Sequence, residues 1–149
     1  MILLLHGPNL SQLGSRDPAV YGTATVADLT ALVAEEAGDV DAFTSDSEGE
    51  LVRSIHAARS DDTQAVIVNP GALTHYSHAL RDALDLLDLP VVEVHLSQTA
   101  AREEFRRHSV VSPVVDVTIT GAGAFGYRLA ARAALHLVQQ RALKQPEGR

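Results

Sequence analysis

The chain has 149 residues, 46% hydrophobic and 21% charged, with no cysteine and a formal net charge of −7, the make-up of a single soluble globular domain. The lack of thiols excludes disulfides and thiolate metal sites and favours an intracellular setting. An acidic balance, with basic residues clustered only at 102–107, argues against nucleic acid, whose phosphate backbone demands an extended positive surface.

The first apolar run, ILLL at 2–5, ends at His6 and reads as a strand. It is too short to span a bilayer and lacks the basic start and cleavage region of a signal peptide, so a cytoplasmic protein with no membrane partner is expected. HGPNLSQLGSRDPAVYG, residues 6–22, follows; a connection this long in a compact domain is usually a lid or binding loop. TVADLTALVAEEA at 25–37 has helical periodicity and opens with Thr25 and Asp28 in capping-box spacing. VDAF at 40–43 is the second strand, SEGELVRSIHAA at 47–58 a helix, and AVIV at 65–68 the third strand. SHALRDALDLLD at 77–88 predicts a helix, VVEV at 91–94 a strand, AAREEFRRH at 100–108 a helix and VVDVTI at 114–119 the fifth strand. An Ala- and Leu-rich helix over 123–143 completes one domain, 1–143, and 144–149 reads as a disordered tail.

Strict alternation of strand and helix predicts a parallel sheet with right-handed crossovers and helices on both faces. In such sheets ligands gather beyond the carboxyl ends of the strands, where the strand order reverses. Three polar turns, 6–9, 69–78 and 93–98, fall on that edge, and the long loop leaves from it.

Candidate chemistry follows. A tyrosine accepts a proton near neutrality only beside a cation or donors to its anion, and Arg16 lies five residues before Tyr21; the plain alternative is a packed ring and a solvated arginine. Glu93 and His95 share one side of their strand, and a carboxylate beside an imidazole suits a general acid, or equally a buried ion pair. Ser97 and Gln98 precede the helix expected near Ala100, whose free N–H groups favour an anion. Arg102 and Arg106, at i and i+4, share a face of that helix, either beside the anion or in solvent. His75 and His78 have no HExxH motif, cysteine or carboxylate pair with them, so no metal is expected. GAGAFG at 121–126 spells a dinucleotide fingerprint but follows the last strand, which predicts a packing turn. There is no GxSxG elbow and no Walker lysine.

Taken in order, GPNL at 7–10, RDPAVYG at 16–22, SEGEL at 47–51, NPGALTH at 69–75, RDA at 81–83, EVHLS at 93–97, REEFRRHS at 102–109 and GAGAFGY at 121–127 resemble type II 3-dehydroquinate dehydratase. The resemblance implies a flavodoxin-like three-layer α/β sandwich with a five-stranded parallel sheet. It also implies trans-elimination of water from 3-dehydroquinate to 3-dehydroshikimate, in the shikimate pathway, without a cofactor. In its terms Tyr21 is the base, Arg16 keeps it ionised, Asn9 serves the developing enolate, and His95, oriented by Glu93, protonates the leaving hydroxyl. Asn69 and the backbone amides of Leu96 and Ser97 would hold the carboxylate; His75, Arg106 and Asp82 would meet ring hydroxyls; Arg102 would support the base. Asp82 would come from a neighbouring subunit, in trimers assembled into a dodecamer. The sole lysine, Lys144 near the chain end, is ill placed for imine chemistry, which fits an enolate route.

The chain departs from the family pattern at His6, where Asn is usual, and at Gln98, where another Asn is usual, followed by Thr99 and Ala100. His6 is expected to bear on the enolate pocket, whereas TSDSEG at 44–49, replacing QSNHEG, is expected to bear on packing of the second helix more than on chemistry. Two other readings stay open on the residues alone: a phosphate- or nucleotide-binding module, and a structural oligomer with a decayed site.

Overall fold

The computed structural model describes residues 1–144. Five strands, β1 (Ile2–His6), β2 (Val40–Thr44), β3 (Ala65–Asn69), β4 (Val91–Val94) and β5 (Val117–Ile119), form one sheet in the order β2-β1-β3-β4-β5. Every pairing is parallel. This is the flavodoxin-like order, and its reversal point lies between β1 and β3. Their final residues, His6 and Asn69, are register partners, so the two loops that leave the sheet there start side by side.

β1 and β3 are buried at every position because helices cover both faces, and a strand covered twice reads as a continuous apolar run. Ile2 and Leu4 pack with α2 (Val26–Ala37) and α5 (Phe125–Lys144); Leu3 and Leu5 pack with α3 (Glu48–Ala57) and α4 (His78–Asp85). α2 starts on the expected capping box: the Thr25 side chain accepts from Asp28 N–H, and the Asp28 carboxylate accepts from Thr25 N–H. α5 presents Ala130, Ala131 and Ala134, all fully buried. A Cβ at Gly126 would stand 3.5 Å from Val94 Cγ2 and 3.6 Å from Ile119 Cγ2, so the GAGAFG turn sets helix against sheet.

The segment 100–108 is not the expected α-helix. It forms two 3-10 turns, Thr99–Ala101 and Glu104–Arg107, separated by extended backbone at Arg102 (φ −100°, ψ −157°). Helices in proteins are held mainly by burying an apolar face, and this segment has none: Phe105, its one large apolar residue, is 56% exposed. A third such turn, Ser112–Val114 with Pro113 in its first positions, takes the start of the expected fifth strand, since proline cannot donate to a ladder. α4 closes at Asp85 rather than 88. Lys144 ends α5 as an exposed helical residue, so it does not belong to the expected tail; the rest of that expectation, 145–149, lies outside the described residues. Among the described residues no helix is long and apolar enough to cross a membrane.

Candidate active site

The floor of the site is built by two loops too close for side chains. Gly7 N–H donates to Asn69 O at 2.8 Å. A Cβ on Gly7 would fall 2.4 Å from Pro70 O, and one on Gly71 (φ +59°) 2.9 Å from Pro8 O. Only glycine permits this approach. Asn9 is the one non-glycine residue with positive φ (68°) among the described residues, a conformation asparagine tolerates. Its N–H donates to Asp46 Oδ1 at 2.8 Å. TSDSEG thus touches the site through Asp46, a larger part in it than the expected weight on packing implied.

The long loop is not structureless. Near its C-terminal end it forms a one-turn helix, α1 (Pro18–Tyr21), with Pro at its first position and the Asp17 carboxylate accepting Ala19 N–H at 3.0 Å. That turn folds Tyr21 back on Arg16. The guanidinium carbon lies 3.8 Å from the ring centroid, and Nη2 donates to the phenolic oxygen at 2.7 Å. A second cation arrives from the β4 side: Arg102 donates from Nη2 to the same oxygen at 2.8 Å and from Nη1 to Ser97 Oγ at 3.1 Å. Negative charge on that oxygen would meet two charge-assisted bonds. Arg102 reaches it from extended backbone, so the anion-binding helix N-terminus and the shared helical face with Arg106 do not exist.

At the end of β4, His95 Nε2 pairs with Glu93 Oε1 at 2.7 Å. Glu93 is fully buried and satisfied: Thr74 Oγ1 donates to Oε1, and Ser112 Oγ donates to Oε2 at 2.6 Å. Burial raises this carboxyl, but the bond and charge of His95 with the bonds from Ser112 and Thr74 outweigh it, holding Glu93 below the usual carboxylate range. His95 Nδ1 has no partner among the described residues, and His95 lines the cavity.

That cavity, about 90 Å³ and partly open to solvent, is also lined by Asn9, Arg16, Tyr21, Asn69 and Arg102. Leu96, Ser97, His75 and Arg106 line it too. The backbone N–H groups of Leu96 and Ser97 donate to nothing among the described residues. His75 pairs through Nδ1 with His108 O at 2.7 Å, and burial lowers it against the opposing effect of that bond. Two expected residues lie elsewhere. Asp82 is exposed on α4, outside the cavity, and Glu93 stands behind His95 rather than in the lining.

His6 does not line the cavity. It is fully buried, stacked on Tyr127 (5.7 Å between centroids, 17° between planes), with no partner for Nε2. Burial pushes it down to about 4. Gln98 turns away as well, accepting from Thr120 Oγ1 at 2.8 Å. Sequence reasoning missed Asp46, Thr74, Ser112 and Tyr127, which hold Asn9, Glu93 and Asn69; Thr74 and Tyr127 lay within recognised motifs, whereas nothing marked Ser112.

Residues 1–135 match the family model described as dehydroquinase class II. The chain is 49% identical over 140 residues to the 3-dehydroquinate dehydratase of Pelotomaculum thermopropionicum, covering 91% of this chain and 96% of the relative. It is 51% identical over 138 residues to that of Xanthomonas oryzae pv. oryzae, covering 90% and 93%. The crystal structure of type II dehydroquinase from Propionibacterium acnes superposes with a TM-score of 0.85 at 47% identity, covering 93% of this chain and 95% of that one. A 3-dehydroquinate dehydratase-like protein from Bifidobacterium longum superposes at 0.67 with 38% identity, covering 92% and 96%.

Proposed function

Since the chain belongs to the class II dehydroquinase family and dehydrates 3-dehydroquinate to 3-dehydroshikimate in the shikimate pathway, we propose that it does so by trans-elimination through an enolate, with Tyr21 as base and His95 as acid. The observation that carries this route is the phenolic oxygen of Tyr21, which accepts from Arg16 and Arg102 at the edge of the cavity that His95 also lines. Both bonds strengthen when the oxygen is an anion. The phenolate removes the proton on the carbon beside the ketone, and the electron pair moves onto the carbonyl oxygen. Asn9 serves that oxygen directly or through a water, a donor fixed in place before charge develops. Collapse of the enolate forms the ring double bond and expels the hydroxyl, which takes a proton from His95 Nδ1 and leaves as water. Glu93 steadies the imidazolium that precedes this step.

The substrate carboxylate is held by Asn69 and the backbone N–H groups of Leu96 and Ser97, and its ring hydroxyls by His75 and Arg106. Asp82, exposed and outside the lining of its own cavity, serves the cavity of a neighbouring copy in a trimer, and trimers assemble into a dodecamer. The protein works in the cytoplasm. The route needs no cofactor, so turnover withstands exhaustive chelation.

The deciding experiment mixes purified protein with 3-dehydroquinate and follows the ultraviolet absorbance of the conjugated enone. Tyr21→Phe should abolish its formation while 3-dehydroquinate still binds. Undiminished turnover in that variant rules out Tyr21 as the base.

A further inference from the structure

Behind the cavity, between β3 and α5, lies a phenol that the proposed route does not use. Tyr127 is fully buried, and its hydroxyl accepts from Asn69 Nδ2 at 3.0 Å. The other end of the same amide is engaged as well, because Asn69 Oδ1 accepts Gly71 N–H at 3.2 Å. A primary amide offers two N–H groups and one carbonyl. With one N–H and the carbonyl taken, the remaining N–H is what Asn69 has left for the cavity it lines. Turning the amide over would set its NH2 against Gly71 N–H, donor on donor, so Gly71 sets which end faces the cavity, while the Tyr127 hydroxyl fixes where the amide sits. A buried hydroxyl costs free energy unless it is bonded, and phenylalanine would fill the same volume without that cost. The hydroxyl therefore asks for an explanation other than packing.

We propose that Tyr127 is a positioning residue for substrate binding, its hydroxyl anchoring the Asn69 amide, whose sense Gly71 N–H sets, so that the remaining N–H meets the substrate carboxylate. This rests on the reading of Asn69 as a carboxylate binder. Two features support it. The ring is clamped by the buried His6 stacked on its face, and burial pushes the phenol well above its ordinary range against the opposing Asn69 bond, so the group stays neutral and orients without adding charge. A neutral clamp beside an anionic ligand avoids repulsion that a carboxylate in the same place would bring.

The test is a double-mutant cycle read as KM and kcat for 3-dehydroquinate. Tyr127→Phe should raise KM about tenfold with kcat within about twofold, the pattern of lost uniform binding. Asn69→Ala should raise KM further, and adding Tyr127→Phe to it should change nothing, because no amide remains to be held. A raised KM in Asn69→Ala beside an unchanged KM in Tyr127→Phe overturns the inference alone. An unchanged KM in Asn69→Ala removes the binder and the inference with it. Additive losses in the double variant, or a Tyr127→Phe that loses thermal stability and kcat at constant KM, mark a purely structural phenol and overturn it too. If Tyr127→Phe does not fold, the unaltered protein supplies the readout by NMR of the Asn69 side-chain amide. One proton should exchange slowly and stay put while the other shifts on titration with equilibrated substrate and product; both shifting equally, or neither, overturns the inference.

Discussion

Arg102 Nη2 lies 2.8 Å from the phenolic oxygen of Tyr21, although 81 residues separate the two in the chain. The bond ties the long loop to the end of β4 and gives the proposed base a second cation beside Arg16. The two arginines differ in what else they hold, and that difference can be measured. Among the described residues Arg16 bonds only the phenol, so Arg16→Ala should lower kcat by roughly a hundredfold or more, the scale of one removed electrostatic partner, with thermal stability unchanged. Arg102 also donates to Ser97 Oγ, beside the proposed carboxylate site. Arg102→Ala should therefore lower kcat and raise KM together. Steady-state kinetics on both variants checks the contrast, and an unchanged kcat in Arg16→Ala removes it from the mechanism.

Asp46 holds the left-handed backbone of Asn9 through a single side-chain acceptor. Asp46→Ala should lower kcat about tenfold, since a small displacement of a preorganised donor is costly, while Asp46→Asn, which keeps a carbonyl acceptor, should restore most of the loss. Equal damage in both variants would mean that charge, not the hydrogen bond, matters there.

His6 makes stability sensitive to acid. Its folded-state value, about 4, lies below the ordinary 6.5 because burial opposes its charge. Between those values the unfolded chain binds a proton that the folded chain refuses, so stability is complete above about pH 6.5 and is lost as pH falls toward 4. The loss from this one group approaches about 3 kcal/mol at the acid end. Urea unfolding of the wild type and of His6→Asn across this window should diverge, the variant showing the flatter profile. Parallel profiles would place the acid sensitivity elsewhere.

Gly7 admits no side chain. Gly7→Ala must push Pro70 O away from a position 2.4 Å from the new carbon, and backbone cannot yield as a flexible side chain can. Overpacking of this kind costs about 1–3 kcal/mol, and here it also shifts Asn9, two residues on. Thermal denaturation should show the loss and kcat should fall with it. A variant of native stability would mean that the two loops part easily.

Much of this was legible beforehand, for reasons that differ by element. The apolar runs of β1, β3 and β4 mark strands because both faces are covered, and the Thr25–Asp28 spacing marks the start of α2 because the capping bonds are local. Segment 100–108 misleads because its charged residues repeat at helical spacing without an apolar face to hold a helix in place. The Glu93–His95 pair follows from strand alternation. The bond from Asp46 to Asn9, 37 residues apart, runs from a side chain to a backbone group, and such a contact imposes no periodicity on the sequence. Likewise the clamp of Tyr127 on Asn69 joins a helix to a strand end across 58 residues; GAGAFGY marks the turn but not the hydroxyl's partner.

The proposed acid and base are anchored very unequally. His95 hangs on the sheet, backed by a buried carboxylate that also accepts from Thr74 and Ser112, whereas Tyr21 ends a single helical turn that contains no buried residue. Mild denaturant, warmth or a protease will therefore attack the long loop well before the strands. Inactivation should run ahead of melting, and a sample that has fallen silent toward its substrate can still give the circular dichroism of an intact sheet.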